Sequence, residues 1–219
     1  MPLALVTGAS RGIGRAIADE FVAQGWQVLS PTRSELDLRD GDAIRSWCAA
    51  LGTEKVDAFV HSAGVNSPRP LAQITDELWA VTLQVNLTAL RQLTQGIVPR
   101  MVAGGRIVAL SSILGIVSRP GRATYSATKA AVNGLIRALA VELGPQGILA
   151  NALCPGYVET DLTRQNNSPE QLTAITESIP LRRLASAQEI ARLAVWLCSA
   201  QNTYLTGQAI AIDGGFTSL

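Results

Sequence analysis

The run Leu3-Ala4-Leu5-Val6-Thr7 passes without a spacer into Gly8-Ala9-Ser10-Arg11-Gly12-Ile13-Gly14. A short, uninterrupted apolar run reads as a strand buried on both faces, the habit of parallel sheets. Beyond the glycines, Ile13, Ile17 and Phe21 recur at helical spacing until Gly25 stops them. Strand, glycine turn and helix in this order restrict the fold strongly. The turn lets the backbone approach a ligand closely, and the helix behind it offers unpaired N–H groups at its positive end to an anion.

The rest of the chain repeats the alternation. Strands are predicted at Gln27–Ser30, Ala58–Ser62, Arg106–Leu110, Ile148–Leu153 and Ala209–Ile212. Helices are predicted at Asp40–Leu51, from Thr75 to near Arg100, at Ala123–Leu143, at Ser168–Thr176 and at Ser186–Cys198. Thr75 reads as an N-cap, and Ser186 with Glu189 as a capping box. Alternation of this kind predicts an α/β fold, a doubly wound parallel sheet of Rossmann type. No composition shift or long linker divides the 219 residues, so a single domain is expected. In such sheets the chemistry collects at the carboxyl ends of the strands.

Composition removes other classes. Hydrophobic residues make up 47% and charged residues 16%, which excludes a disordered chain. Eighteen basic residues against 17 acidic ones leave no field suited to nucleic acid. No apolar stretch is long enough to span a membrane, and no signal peptide is visible. Cys48, Cys154 and Cys198 are odd in number and far apart, so they read as free thiols of a reducing, cytoplasmic setting. His61 is the only histidine and reads as a packed or hydrogen-bonded side chain; no metal site is expected.

Tyr125 and Lys129 stand four apart at the start of a predicted helix and share one face. A phenol titrates near 10, and a neighbouring ammonium favours its ionised form. The spacing therefore predicts a tyrosine whose pKa is lowered by Lys129 and by the positive helix end.

Four segments together carry a resemblance. They are Thr7-Gly8-x-x-x-Gly12-x-Gly14, His61-Ser62-Ala63-Gly64, Tyr125-x-x-x-Lys129 and Pro155-Gly156-x-x-x-Thr160, each at a predicted strand end or helix start. The chain resembles, over its whole length, the single-domain branch of the short-chain dehydrogenase/reductase family, and its C-terminal third is similar to 3-oxoacyl-carrier-protein reductases. His61 and Ser62 depart from the two asparagines usual in the second segment. The resemblance implies hydride transfer between a nicotinamide and a carbonyl or alcohol carbon, with Asn86, Ser112, Tyr125 and Lys129 as the catalytic tetrad. Ser112 stands thirteen residues before Tyr125, the spacing the family shows, and is preferred to Ser111. In reduction Tyr125 would donate the proton, Ser112 would hold the oxygen, and Lys129 would lower the tyrosine pKa and bind the ribose. Asn86 would hold a water that links Lys129 to solvent.

The implied cofactor site comprises Gly8, Ser10, Arg11, Gly12, Ile13, Gly14, Arg33, Asp37, Leu38, Ala63, Gly64, Tyr125, Lys129, Pro155, Gly156, Val158 and Thr160. An NAD-preferring site places an acid at the end of the second strand. Here Leu29-Ser30-Pro31-Thr32-Arg33 contains none before Glu35, while Arg33 and Arg11 could pair with a 2′-phosphate. NADP(H) is favoured and NAD(H) stays open. Asp37 with Leu38 would receive the adenine.

The expected substrate is a small carbonyl compound, a 3-oxoacyl or related ketone that could be an acyl thioester. The alternatives are an NAD-dependent alcohol or sugar dehydrogenase and a dinucleotide-sensing regulatory protein. The basic residues with which these reductases dock a carrier protein are replaced by Ala103 and Gln146, with Arg100 or Arg106 as candidate substitutes. Residues 162–179 are expected to form a polar, gating substrate lid. A homotetramer or homodimer is expected, joined through the helices that start near Thr75 and Ala123 and through the C-terminal segment. Finally, Ser30 to Asp37 is too short for the helix and strand the family carries there. The usual helix between the family's second and third strands should be shortened or absent.

Overall fold

The computed structural model describes residues 1–218. Six parallel strands form one sheet in the order β2-β1-β3-β4-β5-β6. They are β1 (Leu3–Thr7), β2 (Gln27–Leu29), β3 (Val56–His61), β4 (Met101–Leu110), β5 (Leu149–Pro155) and β6 (Ala209–Ile212). The helices between them are α1 (Gly12–Ala23), α2 (Gly41–Ala50), α3 (Asp76–Leu83), α4 (Ala89–Ile97), α5 (Ala123–Leu143), α6 (Asp161–Gln165), α7 (Pro169–Ser178) and α8 (Ala187–Cys198).

Successive strand residues point to opposite faces, and both faces are covered. Leu5 and Phe59, paired in register, belong to a core with Ile44, Leu90, Leu93, Val132 and Ile136 under α2, α4 and α5. Ala4, Val6, Ala58 and Val60 point the other way, into a core with Ile17, Phe21, Ile190 and Val195 under α1 and α8. The apolar strands therefore need no polar alternation. Phe59 is wholly buried at the centre of the first core. Phe59→Ala should cost about 3–5 kcal/mol, read as a fall in the urea midpoint without a large change in slope.

The short link after β2 is as expected. Residues 30–40 form neither strand nor helix, so β2 is the edge strand. Leu36 anchors the link in the first core, and Asp40 caps α2 by accepting from Asp42 N (2.8 Å) and Ala43 N (3.2 Å). The caps at Thr75 and at Ser186 with Glu189 are also formed.

The long helix expected from Thr75 to Arg100 is a correction. It is broken by a π-helical segment at Gln84–Thr88, with Asn86 at its centre, and closes in a 3₁₀ turn at Val98–Arg100. The extra residue of a π turn displaces the helix register, and here the Asn86 amide bonds to the chain after β3. Among the described residues no helix is long and apolar enough to cross a membrane.

Candidate active site

A cavity of about 560 Å³ opens at the carboxyl ends of β1, β3, β4 and β5, within the size range of small-molecule sites. Every residue singled out from the sequence for catalysis or cofactor contact lines it, except Asn86. The sequence segments that lie far apart therefore meet on one wall system.

The glycine turn forms the floor of one end. Gly8 has φ +72°, and a Cβ there would lie 2.7 Å from the Ala63 backbone. At Gly14 a Cβ would lie 2.2 Å from the Gly8 carbonyl oxygen. Only glycine lets β1, α1 and the Ala63-Gly64 segment approach this closely. No side chain caps α1. The first-turn N–H groups, from Gly12, Ile13 and Gly14, thus face the cavity beside Ser10 and Arg11, an arrangement that fits a pyrophosphate. Thr160 Cγ2 would lie 3.6 Å from a Cβ at Gly12, which places the start of α6 over the same turn. Pro155, Gly156 and Val158 complete that wall.

At the outer end, Arg11, Arg33 and Arg39 line the cavity with Asp37 and Leu38. Arg39 Nη2 donates to the Asp37 carboxylate at 2.7 Å, and Arg33 Nε lies 3.8 Å away. The hydrogen bonds from Arg39, with a smaller contribution from Arg33, hold Asp37 down to about 2. Glu35 turns away: its carboxylate accepts from Thr32 N (2.7 Å) and Thr32 Oγ1 (2.8 Å), and it does not line the cavity. Three guanidinium groups thus face this end against one carboxylate that is already paired. Arg39 was not anticipated; its place two residues after Asp37 was the signal available.

At the inner end, β4 delivers Ser111 and Ser112. Ser111 Oγ donates to the Lys129 carbonyl (3.0 Å) and so fastens α5 to the sheet. Ser112 Oγ accepts from Leu114 N (3.1 Å) at the head of a 3₁₀ turn. Tyr125 lies in the first turn of α5, and Lys129 Nζ lies 5.6 Å from its ring centroid. Lys129 is 3% exposed and donates from Nζ to the Leu110 carbonyl at 2.5 Å.

The electrostatics correct the expected tuning. Burial pushes the Tyr125 phenol up to about 12, opposed by the Ser112 side chain and by the charge of Arg122. Burial also brings Lys129 down to about 8, so it is still charged at neutral pH. For both groups the largest effect is desolvation, which disfavours the charged form.

Asn86 is fully buried behind the wall. Its Oδ1 accepts from Val65 N (2.8 Å), and its Nδ2 donates to Val65 O (2.9 Å) and Thr128 Oγ1 (3.1 Å). Both amide protons are committed to protein acceptors, and Oδ1 accepts one backbone N–H. A Cβ at Gly64 would lie 3.4 Å from Asn86 Oδ1 and 3.6 Å from Lys129 Nζ, so amide and ammonium flank one stretch of backbone. His61 is 1% exposed, with Nδ1 3.0 Å from Thr7 Oγ1. Burial, then the Lys129 charge, brings it down to about 3, so it stays neutral.

The segment expected as a polar lid is largely helical. Ser168 and Gln171 form a capping box for α7, and Ile175 and Ile179 are buried. Leu162, Thr163, Asn166 and Asn167 face the cavity, and Asn166 Nδ2 reaches the Asn66 carbonyl across it (3.4 Å). Asn167 Oδ1 is buried there without a partner, an acceptor that an N–H of a ligand could satisfy. Of the substitutes for carrier docking, Arg106 is spent on the carbonyls of Asn202, Gly104 and Gly105, and Arg100 on those of Gly52 and Gly96. Among the described residues no group of three or more His, Cys, Asp or Glu could hold a metal ion.

Residues 30–217 match the family described as enoyl-(acyl carrier protein) reductase, and residues 2–40 match short chain dehydrogenase. The chain is 34% identical to the 3-oxoacyl-[acyl-carrier-protein] reductase of Salmonella typhimurium, over 97% of this chain and 96% of that enzyme. Among solved structures, a short chain dehydrogenase family protein from Francisella tularensis superposes with a TM-score of 0.94 at 26% identity, covering 100% of both chains. A blue fluorescent protein from a metagenomic library, solved in complex with NADPH, superposes at 0.87 with 28% identity over 98% of this chain and 97% of that one. The glycine turn, the serine at the strand end and the tyrosine-lysine helix thus stand in a chain that belongs to the short-chain dehydrogenase/reductase family of oxidoreductases and, within it, resembles the 3-oxoacyl-[acyl-carrier-protein] reductases.

Proposed function

We propose that the chain is an NADPH-dependent ketoreductase acting on a 3-oxoacyl or related small ketone. The observation that carries this reading is Tyr125 beside the Ser112 hydroxyl, in the same cavity as a glycine turn and an arginine-rich outer end whose one carboxylate, Asp37, is already paired with Arg39. When bound, NADPH supplies the hydride. Gly12, Ile13 and Gly14 at the start of α1 would hold the pyrophosphate, Leu38 and Asp37 the adenine, and Ala63 and Gly64 the neighbouring ribose. Lys129 would hold the nicotinamide ribose. Pro155, Gly156, Val158 and Thr160 would line the nicotinamide, and the unpartnered Asn167 Oδ1 could accept from its carboxamide.

Tyr125 would donate its proton to the developing alkoxide and Ser112 would hydrogen-bond that oxygen. A phenol raised to about 12 holds its proton at every working pH, so Tyr125 would enter reduction already carrying the proton it donates. Asn86 would act as a positioning residue for Val65 and the π turn. Residues 162–179 would gate the cavity, with the Asn166 to Asn66 contact as the latch. The exposed Trp79 and Val81 on α3 and Val141 on α5 support a homo-oligomer built on those helices, and three buried free cysteines suit a reducing, cytoplasmic setting.

The test is NADPH oxidation over acetoacetyl esters, simple ketones, quinones and sugars, with NADPH and NADH titrated in parallel. NADPH should bind more tightly. Arg33→Ala should lower that preference by about tenfold, the worth of one charge-assisted contact at an exposed site. Tighter NADH binding would refute the cofactor assignment and favour an NAD-dependent alcohol or sugar dehydrogenase.

A further inference from the structure

Arg122 lies three residues before Tyr125, one helical turn away, at the N-cap of α5. It is 6% exposed and lines the cavity. Its Nη1 donates to Asn66 Oδ1 at 3.2 Å, and its other guanidinium N–H groups have no hydrogen-bond partner among the described residues. Arg119 lines the same wall. It donates to the Tyr157 hydroxyl at 2.5 Å and stands 5.8 Å over that ring. Neither arginine has a carboxylate within 4.0 Å among the described residues. The cavity's one further acid, Asp161, is exposed and pairs with neither.

A buried guanidinium without an acid is costly, and a second like charge beside it adds to the cost. Burial and Arg119 both push the Arg122 guanidinium down from its usual range. A wall of this kind is stabilised when an anion enters it. The uncapped N-terminus of α5 points the same way. The pyrophosphate place is already supplied by α1, at the other end of the cavity, so this second cationic patch is not needed for the cofactor.

We propose that Arg122, assisted by Arg119, binds a carboxylate on the substrate, so that the ketone reduced at Tyr125 is an oxo acid and not a neutral ester or thioester. The proposal rests on the ketoreductase reading for the word "reduced", but the anion site can be tested without turnover.

The experiment is calorimetry on the protein loaded with NADP+, titrated with 3-oxobutanoate and, separately, with its methyl ester. The acid should bind at least tenfold more tightly than the ester. Arg122→Gln should bring the two within about twofold, leaving ester and NADP+ affinities unchanged, since a charge-assisted contact is worth roughly that factor or more. Arg122→Lys should restore part of the preference, and Arg119→Gln should lower it by a smaller factor. Should R122Q fail to fold, the preference of the unaltered protein still decides. Equal binding of acid and ester, no binding of the acid, or a loss in R122Q that falls on NADP+ would each overturn the proposal. An acid preference without NADPH oxidation of either compound would leave the anion site standing and sink the ketoreductase reading.

Discussion

Tyr125→Phe is expected to lower kcat by about 10²–10⁴, the worth of a positioned general acid, while NADPH still binds. The substitution removes one oxygen and keeps the ring. Packing at the head of α5 and the approach of Lys129 Nζ to the ring face, 5.6 Å from its centroid, survive. What is lost is the only cavity-lining hydroxyl that burial raises to about 12 and that the Ser112 side chain touches. NADPH quenching measured beside steady-state rates separates the two effects; full turnover in the variant would remove Tyr125 from the mechanism.

The same values set a pH profile. A donor raised to about 12 stays protonated through pH 6–9, so its ionisation should not limit reduction there. Lys129, brought down to about 8, loses its charge inside that window. The kcat/KM for NADPH, which reports groups of the free enzyme, should therefore fall above pH 8 with a single ionisation. A profile flat to pH 10 would mean that the lysine charge is not used.

Much of this was legible because it is written locally. Apolar runs ending in glycines marked the strands; Ser186 with Glu189 and Thr75 marked helix starts; the short stretch from Ser30 to Asp37 located a missing helix and strand. What the sequence could not convey was how far each charge is from water and what else is near it. The Tyr125 to Lys129 spacing suggests mutual tuning, yet Lys129 is buried and Tyr125 half-buried, and desolvation is the largest effect on both. The family pattern makes Asn86 a ligand for water. Its bonds to Val65 and Thr128 depend on a π turn that no residue spacing announces. Glu35 raised the case for NAD until its carboxylate was found folded onto Thr32. Arg122 passed unnoticed because an arginine at a helix start reads as a solvated charge; only three-dimensional packing reveals that it is buried.

Lys129→Met should abolish turnover and yet stabilise the fold. At pH 7 the wild-type ammonium is charged and 3% exposed, with the Leu110 carbonyl as its one hydrogen-bond partner among the described residues. Its pKa is depressed from 10.5 to about 8, so the charged form is disfavoured in the folded state, at about 1.4 kcal/mol for each unit. Methionine fills similar volume with no charge to desolvate, and such replacements are commonly neutral or stabilising. Leaving the Leu110 carbonyl without its donor offsets part of the gain, so a net of about 1–2 kcal/mol is expected at pH 7. The sign with pH follows from linkage. Between pH 8 and 10.5 the unfolded chain holds the lysine proton and the folded chain does not, so wild-type stability gains relative to the variant as pH rises. The difference between the two proteins should be greatest below pH 8 and should vanish or reverse by pH 10.5. Taking that difference cancels the groups both proteins share, among them Tyr125 and Cys198, whose raised values weaken both folds at high pH. Urea midpoints at pH 7 and pH 9.5 measure it. A variant destabilised equally at both would mean that Lys129 is held for packing, and that its buried charge costs the fold nothing.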